Sequence, residues 1–123
     1  MKEKIAQIIK GLINKTKKDQ AVWKRTSRRD EFMLRFSHGT ATIDLWIETV
    51  GTNITNVSDF RLYDNDGYAI YSITCSKLEL PNEYLLLKEL HSAAKESFYK
   101  EDETINSILQ EINSNKTLIG KTY

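Results

Sequence analysis

Residues 32–47 read FMLRFSHGTATIDLWI, and this stretch decides the fold. Apolar and polar side chains alternate on both sides of a short polar segment, which is typical of two antiparallel strands joined by a tight turn. A two-residue turn at His38 and Gly39 would place the apolar residues of both strands on one face. The pairs in this register are Phe36 with Ala41, Leu34 with Ile43 and Phe32 with Leu45.

The neighbouring segments extend this antiparallel pattern. Residues 51–58 read as a polar loop, and two further alternating runs flank a turn sequence at residues 64–67. A short strand around Val22–Thr26, anchored by Trp23, precedes the hairpin. The sequence therefore predicts an antiparallel sheet of four or five strands over residues 22–75.

Helical periodicity flanks the sheet on both sides. Residues 1–14 predict one amphipathic helix, and residues 82–113 predict a helical pair in which Asp102 caps the second member. The apolar residues of that second helix share one face: Ile105, Ile108, Leu109 and Ile112. Residues 114–123 predict an irregular tail. The fold class is α+β: a single domain over residues 1–123, with an N-terminal helix, a meander sheet and two C-terminal helices packed on one sheet face.

Charge is divided unevenly between the two ends of the chain. Residues 1–40 contain eleven Lys/Arg and four Asp/Glu, a net charge of +7, whereas residues 41–123 contain seven and thirteen, a net charge of −6. The whole chain carries only +1. Because opposite charges on two ends can orient a partner, this division favours binding to another protein or to a second copy.

The sheet face opposite the helices is the first candidate binding surface. The alternation leaves a group of aromatic and apolar side chains there: Met33, Trp46, Tyr63, Tyr68 and Ile70. Such residues are enriched at protein–protein interfaces, so we expect this face to bind a protein partner or to form a homodimer. The alternative is that the last helix or the tail covers it.

The basic segment Lys15–Arg29 is the alternative candidate, as a nucleic-acid-binding surface. Its cations would neutralise phosphates, and the nearby Trp23 and Trp46 would stack on bases. The cations proposed for this role are Lys17, Lys18, Lys24, Arg25, Arg28 and Arg29. The competing interpretation is a solvated helix end and hairpin tip whose cations pair with Glu48, Asp44 or the acidic C-terminal helices, which the near-neutral net charge favours.

Residues that usually carry catalysis or bind metals are few. Cys75 is the single cysteine, and His38 and His91 are the only histidines. Cys75 falls on the inward face of a predicted strand, where a small buried thiol is ordinary. We therefore expect a non-enzymatic module with no catalytic residues, no metal and no cofactor. The single cysteine and the absence of an apolar run of about 18 residues favour a cytoplasmic protein without membrane association.

Three motifs follow one another in the second half of the chain: Tyr63-Asp64-x-Asp66-Gly67, Leu87-x-x-Leu90-x-x-x-Ala94 and Asp102-Glu103-x-Ile105-x-x-Ile108-Leu109. With the strands that precede them, from Trp23 to Ile112, their order resembles small bacterial and phage-borne proteins of unassigned function. In those proteins a strand meander precedes two helices. This chain has Lys95-Glu96 where that pattern usually carries two arginines. The resemblance implies the fold, and it implies no activity and no site residues.

Overall fold

The computed structural model describes residues 1–121, which form an α+β fold with two helices and one five-stranded antiparallel sheet. The elements are α1 (Glu3–Lys17), β1 (Lys24–Arg25), β2 (Phe32–Phe36), β3 (Gly39–Val50), β4 (Asn53–Tyr63), β5 (Ala69–Ser76) and α2 (Pro81–Ile112). The strands lie in the sheet in chain order, so each neighbouring pair is consecutive in the chain. The predicted class, N-terminal helix and antiparallel meander are confirmed.

The predicted pair of C-terminal helices is wrong, because the single helix α2 spans both predicted segments. Pro81 lies in its first turn, where a missing N–H breaks no helical hydrogen bond. Between Pro81 and Ile112 there is no glycine and no further proline. The apolar stripe stays in phase from Phe98 through Ile105 to Ile112. Asp102 therefore lies inside the helix and not at a cap.

The hairpin of β2 and β3 has a register two residues away from the predicted one. Its two-residue turn is Ser37-His38. The pairs are Phe36 with Gly39, Leu34 with Ala41 and Phe32 with Ile43. Because side chains alternate with a period of two, a shift of two residues leaves every side chain on its predicted face. The predicted core face of the hairpin is therefore correct although its pairing is not.

The predicted polar loop over residues 51–58 is also wrong, because β3 and β4 form one long hairpin. Its turn is Gly51-Thr52, and Gly51 has a φ of +63°, which glycine adopts without strain. Ile47 and Ile54 point to the helix side of the sheet and are 69 % and 72 % exposed. The tip of the hairpin thus extends past the helices, and both of its faces meet water. Polar residues are therefore tolerated on both faces, which is why residues 51–58 read as a loop.

The core lies between one sheet face and the two helices. α2 contacts β2, β3, β4 and β5, and α1 packs against α2. The largest fully buried apolar side chains are Ile9, Trp23, Phe32, Ile43, Phe60, Tyr84, Leu87 and Leu90. Burial of side chains of this kind contributes about 1.5–3 kcal/mol each, which makes this layer the main source of stability.

His91 of α2 is a buried polar residue at the edge of this core. Its Nε2 atom lies 2.7 Å from the carbonyl oxygen of Asp30, and its ring packs edge-on against Phe32 with 5.4 Å between centroids. Burial lowers the pKa of His91 below its ordinary value of 6.5, and the Asp30 carbonyl offsets only part of this effect. The fold therefore stabilises the neutral ring, with Nε2–H donating to Asp30.

We expect the free energy of unfolding to fall as the pH drops below about 6.5, because unfolded His91 then takes up a proton that the folded state resists. The contribution is fully present above this pH and is lost as the pH falls through the lower pKa of the folded state. Urea unfolding from about pH 5 to 8 measures it. His91→Gln should flatten the profile, whereas His38→Asn, in an exposed turn, should not. Identical profiles for wild type and His91→Gln would contradict this role.

Residues 113–121 contain no helix or strand, in line with the predicted tail, whose last two residues lie outside the described part of the chain. The start of this segment folds back on the helix end, because Ser114 and Lys116 donate to Glu111 at 2.7 and 3.0 Å. Among residues 1–121, no helix is both long enough and apolar enough to cross a membrane.

Candidate functional site

The outer face of the sheet, opposite α2, carries two buried carboxylates. Asp44 of β3 and Asp59 of β4 lie directly across from each other and are only 5 % and 2 % exposed. Facing carboxylates repel each other unless cations compensate them. Arg28 approaches Asp44 at 3.3 Å, Arg61 approaches Asp59 at 2.8 Å, and Thr74 Oγ1 donates to Asp59 at 2.6 Å. We call the four charged side chains the charged row: Asp44, Asp59, Arg28 and Arg61.

The two arginines of the charged row remain accessible to solvent. Their side chains are 58 % exposed for Arg28 and 40 % exposed for Arg61. The negative charge of Asp59 raises the pKa of the Arg61 guanidinium above its ordinary value, so Arg61 stays charged. Because each carboxylate already has its own cation, the row resembles a structural ion-pair network more than a pair of free acid–base groups.

The charged row separates the aromatic residues that the sequence predicts on this face. Met33 and Tyr63 lie on one side of it and line a pocket of about 580 Å³. Trp46 lies on the other side, in a second pocket of about 580 Å³ that it shares with Arg28 and Arg29. All three predicted residues are half-buried. The face therefore offers two separate contact areas and not one continuous apolar patch.

Tyr68 and Ile70, the remaining predicted residues of this face, lie at the end of the hairpin of β4 and β5. Tyr68 belongs to the turn and accepts a backbone hydrogen bond from Asp64, and Ile70 lies next to the irregularity where the register shifts at Tyr63. They are 72 % and 66 % exposed. The register pairs Tyr63 with Ala69 and leaves Ile70 in the irregularity, so the alternation that predicts Tyr68 and Ile70 on the outer face is interrupted there.

The predicted nucleic-acid-binding cations lie partly against acidic residues of α2. Lys17, at the end of α1, approaches Glu89 at 3.1 Å, and Lys24, in β1, approaches Glu101 at 2.9 Å. Both pairs are substantially exposed, so each contributes about 0–1 kcal/mol to stability. Their main effect is to neutralise positive charge that a phosphate would otherwise meet.

The other four of the six proposed cations lie at the end of α1, in β1 and in the loop between β1 and β2. Arg28 belongs to the charged row on the outer face. Arg25 of β1 donates to the carbonyl oxygen of Arg29 at 3.0 Å, within the loop between β1 and β2. Lys18 is exposed at the end of α1. The structure therefore distributes the basic segment over several surfaces.

The end of α2 extends past the sheet. Glu101 pairs with Lys24 of β1, which is the edge strand, and every residue from 102 to 121 is exposed. Four aliphatic side chains lie three, four and seven residues apart in this last part of the helix, and each is more than half exposed: Ile105, Ile108, Leu109 and Ile112. We call them the free stripe. The sequence predicts the stripe correctly as one helix face, but it predicts that this face packs on the sheet.

A groove lies at the base of the free stripe, between α2 and the chain segment that follows α1. It has a volume of about 290 Å³, and Val22 and Ile105 are among the residues that line it. Ser97 Oγ donates to the carbonyl oxygen of Ala21 at 3.1 Å, and Lys100 pairs with Asp19 at 3.0 Å, which fixes the groove's two walls. The apolar part of the groove is therefore small, because its lining combines three apolar residues with five polar ones: Ala21, Val22 and Ile105 with Asp19, Ser97, Lys100, Glu101 and Thr104.

The residues with nucleophilic or metal-binding side chains are engaged in the fold or lie apart. Cys75 is fully buried, and burial, assisted by the charge of Glu83, raises the pKa of its thiol. His91 is bonded to Asp30, and His38 lies in the exposed turn between β2 and β3. Within residues 1–121, no three side chains of the metal-binding types converge.

No family model, curated protein or solved structure matches this chain. The resemblance to small bacterial and phage-borne proteins stays a prediction.

Proposed function

We propose that the protein is a small non-catalytic protein-interaction module whose main contact surface is the free stripe. The supporting observation is the exposure of Ile105, Ile108, Leu109 and Ile112 on a helix that leaves its own sheet. Apolar surface in water is unfavourable by about 25 cal/mol for each Å². A partner that covers the stripe recovers this free energy, as a helix does when it lies in a groove of another protein.

The free stripe is suited to binding because α2 presents it on a preformed helix. The first part of the same helix is held by Tyr84, Leu87 and Leu90, which are fully buried against the sheet. The helical conformation of the stripe therefore does not have to form on binding. Less conformational entropy is lost than for a disordered segment, which favours affinity.

The outer sheet face is the second contact surface, through which we propose self-association. Met33 and Tyr63, with the exposed Tyr68 and Ile70 beside them, would supply its apolar part. The arginines of the charged row would supply a polar rim. The opposite net charges of the two ends of the chain would orient one copy against the other.

The double substitution Ile108→Glu with Leu109→Glu tests the free stripe. A buried aliphatic anchor contributes about 1.5–3 kcal/mol, so we expect the double variant to bind its partner at least about 100-fold more weakly. Asn106→Glu with Gln110→Glu is the matched control, because it adds the same charge to neighbouring exposed positions that lie off the stripe. Affinity purification from the native host, followed by titration of the captured protein, measures the difference.

Sedimentation velocity over a range of protein concentrations tests self-association through the outer sheet face. Tyr63→Ala should lower the fraction of dimer, whereas the stripe variant should leave it unchanged. Two results together would contradict the proposed function. The wild-type protein would be monomeric at every concentration, and it would capture the same proteins as the stripe variant.

Nucleic-acid binding is the second proposal, and one observation favours it. Trp46 shares its pocket with Arg28 and Arg29, so a base could stack on the indole while its phosphate meets the arginines. The ion pairs of Lys17 and Lys24 with α2 reduce the positive charge available elsewhere in the segment. We therefore rank this proposal below protein binding.

A further inference from the structure

Strand β5 forms one edge of the sheet, and no other strand of residues 1–121 pairs with its open side. The strand runs from Ala69 to Ser76 and contains no charged residue and no proline. Edge strands usually carry a charge, a proline or a covering element that prevents pairing with another chain. The opposite edge is protected in this way, because β1 is only two residues long and its Lys24 pairs with Glu101 of α2. The edge at β5 is therefore the one that is open to a further strand.

The pairing of β5 with β4 shows which backbone groups lie on this open side. The N–H of Lys77 donates to the carbonyl oxygen of Asn56 at 2.9 Å, so these two residues form a hydrogen-bonded pair. Hydrogen-bonded and non-hydrogen-bonded pairs alternate along an antiparallel ladder. In the regular part of the ladder, every second residue of β5 therefore bonds to β4, and the N–H and C=O groups of Ser72 and Thr74 point away from it. Within residues 1–121, no backbone group outside the sheet bonds to them.

We infer that β5 pairs antiparallel with β5 of a second copy of this chain, which joins the two sheets into one across a two-fold axis. With the axis at Ile73, Ser72 lies opposite Thr74 of the other copy, and both pairs of this kind exchange their main-chain hydrogen bonds. The two Ile73 side chains then form a non-hydrogen-bonded pair, in which side chains approach most closely. This contact goes beyond the proposed function, which assigns self-association to the outer sheet face.

A second copy fits this edge because β5 is complementary to itself. Two identical strands without charges approach each other without repulsion. On the core face, the axis brings together Tyr71 and Ile73 of both copies, which are only half-buried in one copy. Antiparallel pairing also brings the end of one β5 beside the start of the other, where Leu78 and Tyr68 are exposed. The dimer is closed, because only the protected β1 edges remain.

Sedimentation of the full chain tests the pairing. A strand pair of this length buries much less surface than a standard interface, so we expect a dissociation constant on the order of 10–100 μM. Ser72→Pro replaces an N–H that points away from β4, a position where an edge strand tolerates proline. Because each copy loses a hydrogen bond and gains a bulky ring there, the dimer should weaken at least about 100-fold. The matched control Ser72→Ala keeps the N–H and should weaken the dimer less than about fivefold.

Cross-linking through an introduced cysteine tests the register independently of the proline variant. Ile73→Cys places two thiols opposite each other across the axis, so oxidised glutathione should convert them to a disulfide and give a covalent dimer. Ser37→Cys, in the exposed turn between β2 and β3, should give none. The wild-type protein should give none either, because its Cys75 is buried.

The possible results separate this contact from the outer-face contact. A dimer that Tyr63→Ala weakens and Ser72→Pro does not would overturn the β5 pairing and leave the outer-face contact standing. A dimer that Ser72→Pro weakens and Tyr63→Ala does not, together with the Ile73→Cys cross-link, supports the β5 pairing. If Ser72→Pro does not fold, the cross-link decides, and its absence overturns the inference. A monomeric wild type whose open edge captures a different protein, lost in Ser72→Pro, would also overturn the second copy as its occupant.

Discussion

Replacing Trp23 by alanine is expected to lower the free energy of unfolding by about 3–5 kcal/mol, a large part of the roughly 5–15 kcal/mol that holds a domain folded. Trp23 is fully buried in the same core cluster as Ile9 and Phe32. Its Nε1–H donates to Thr16 Oγ1 at 2.9 Å, and that hydroxyl donates to the carbonyl oxygen of Leu12 at 2.6 Å. The indole thus links the chain before β1 to α1. Its loss leaves a cavity and removes the hydrogen bond to Thr16 Oγ1, although that hydroxyl still donates to Leu12.

Two further variants identify the source of the Trp23 effect. Trp23→Phe keeps most of the apolar volume and loses the hydrogen bond, so it should cost about 1 kcal/mol for that bond plus a small packing loss. Trp46→Ala removes the other tryptophan, which is only half-buried, and should cost less than half as much as Trp23→Ala. Urea unfolding followed by far-ultraviolet circular dichroism measures all three. A Trp23→Ala variant as stable as Trp46→Ala would show that the indole does not anchor α1.

The substitution Gly39→Ala is expected to destabilise the protein by about 3 kcal/mol, at the upper end of the range for overpacking. Gly39 is buried at the start of β3, and a Cβ atom there would overlap the carbonyl oxygen of Tyr63 on β4. That oxygen belongs to the backbone of the sheet, so it cannot move aside without distorting the pairing of β3 with β4. The cost is therefore steric and does not come from the φ angle.

Gly11→Ala is the opposite case and serves as the control for Gly39→Ala. Gly11 lies on the exposed side of α1, and a Cβ atom there would have no neighbour within 4 Å. Alanine has a higher helix propensity than glycine, so this change should stabilise the protein by up to about 1 kcal/mol. Thermal and urea unfolding of both variants would therefore shift in opposite directions. A destabilisation of equal size at both positions would contradict the steric explanation.

The faces of the strands could be predicted from the sequence, although the pairing could not. Phe32 and Ile43 lie on the core face in both the predicted and the observed register, because apolar alternation defines a face and not a partner. The prediction places Gly39 in the turn, since glycine is common there. Its actual role is the close approach to Tyr63, which only the neighbouring strand β4 reveals.

The candidate surfaces could be predicted from the sequence less well than the strand faces, because they depend on contacts between distant residues. The alternation places Met33, Trp46 and Tyr63 on the outer face, and it does not show that Asp44 and Asp59 meet between them. That juxtaposition needs the register of β3 with β4, which joins residues fifteen positions apart in the chain. The ion pair between Lys24 and Glu101 joins residues that are even further apart, so the sequence could only suggest it as one alternative.

The sequence alone determined that this protein has an α+β fold with an antiparallel meander, one apolar sheet face and amphipathic helices, because periodicity depends on near neighbours. It also identified Ile105, Ile108, Leu109 and Ile112 as one helix face. Only the tertiary structure decided whether that face is buried, because burial depends on where the sheet ends beneath α2. The sheet ends at β1, close to Glu101, and the same apolar stripe that forms the core before this point is exposed beyond it.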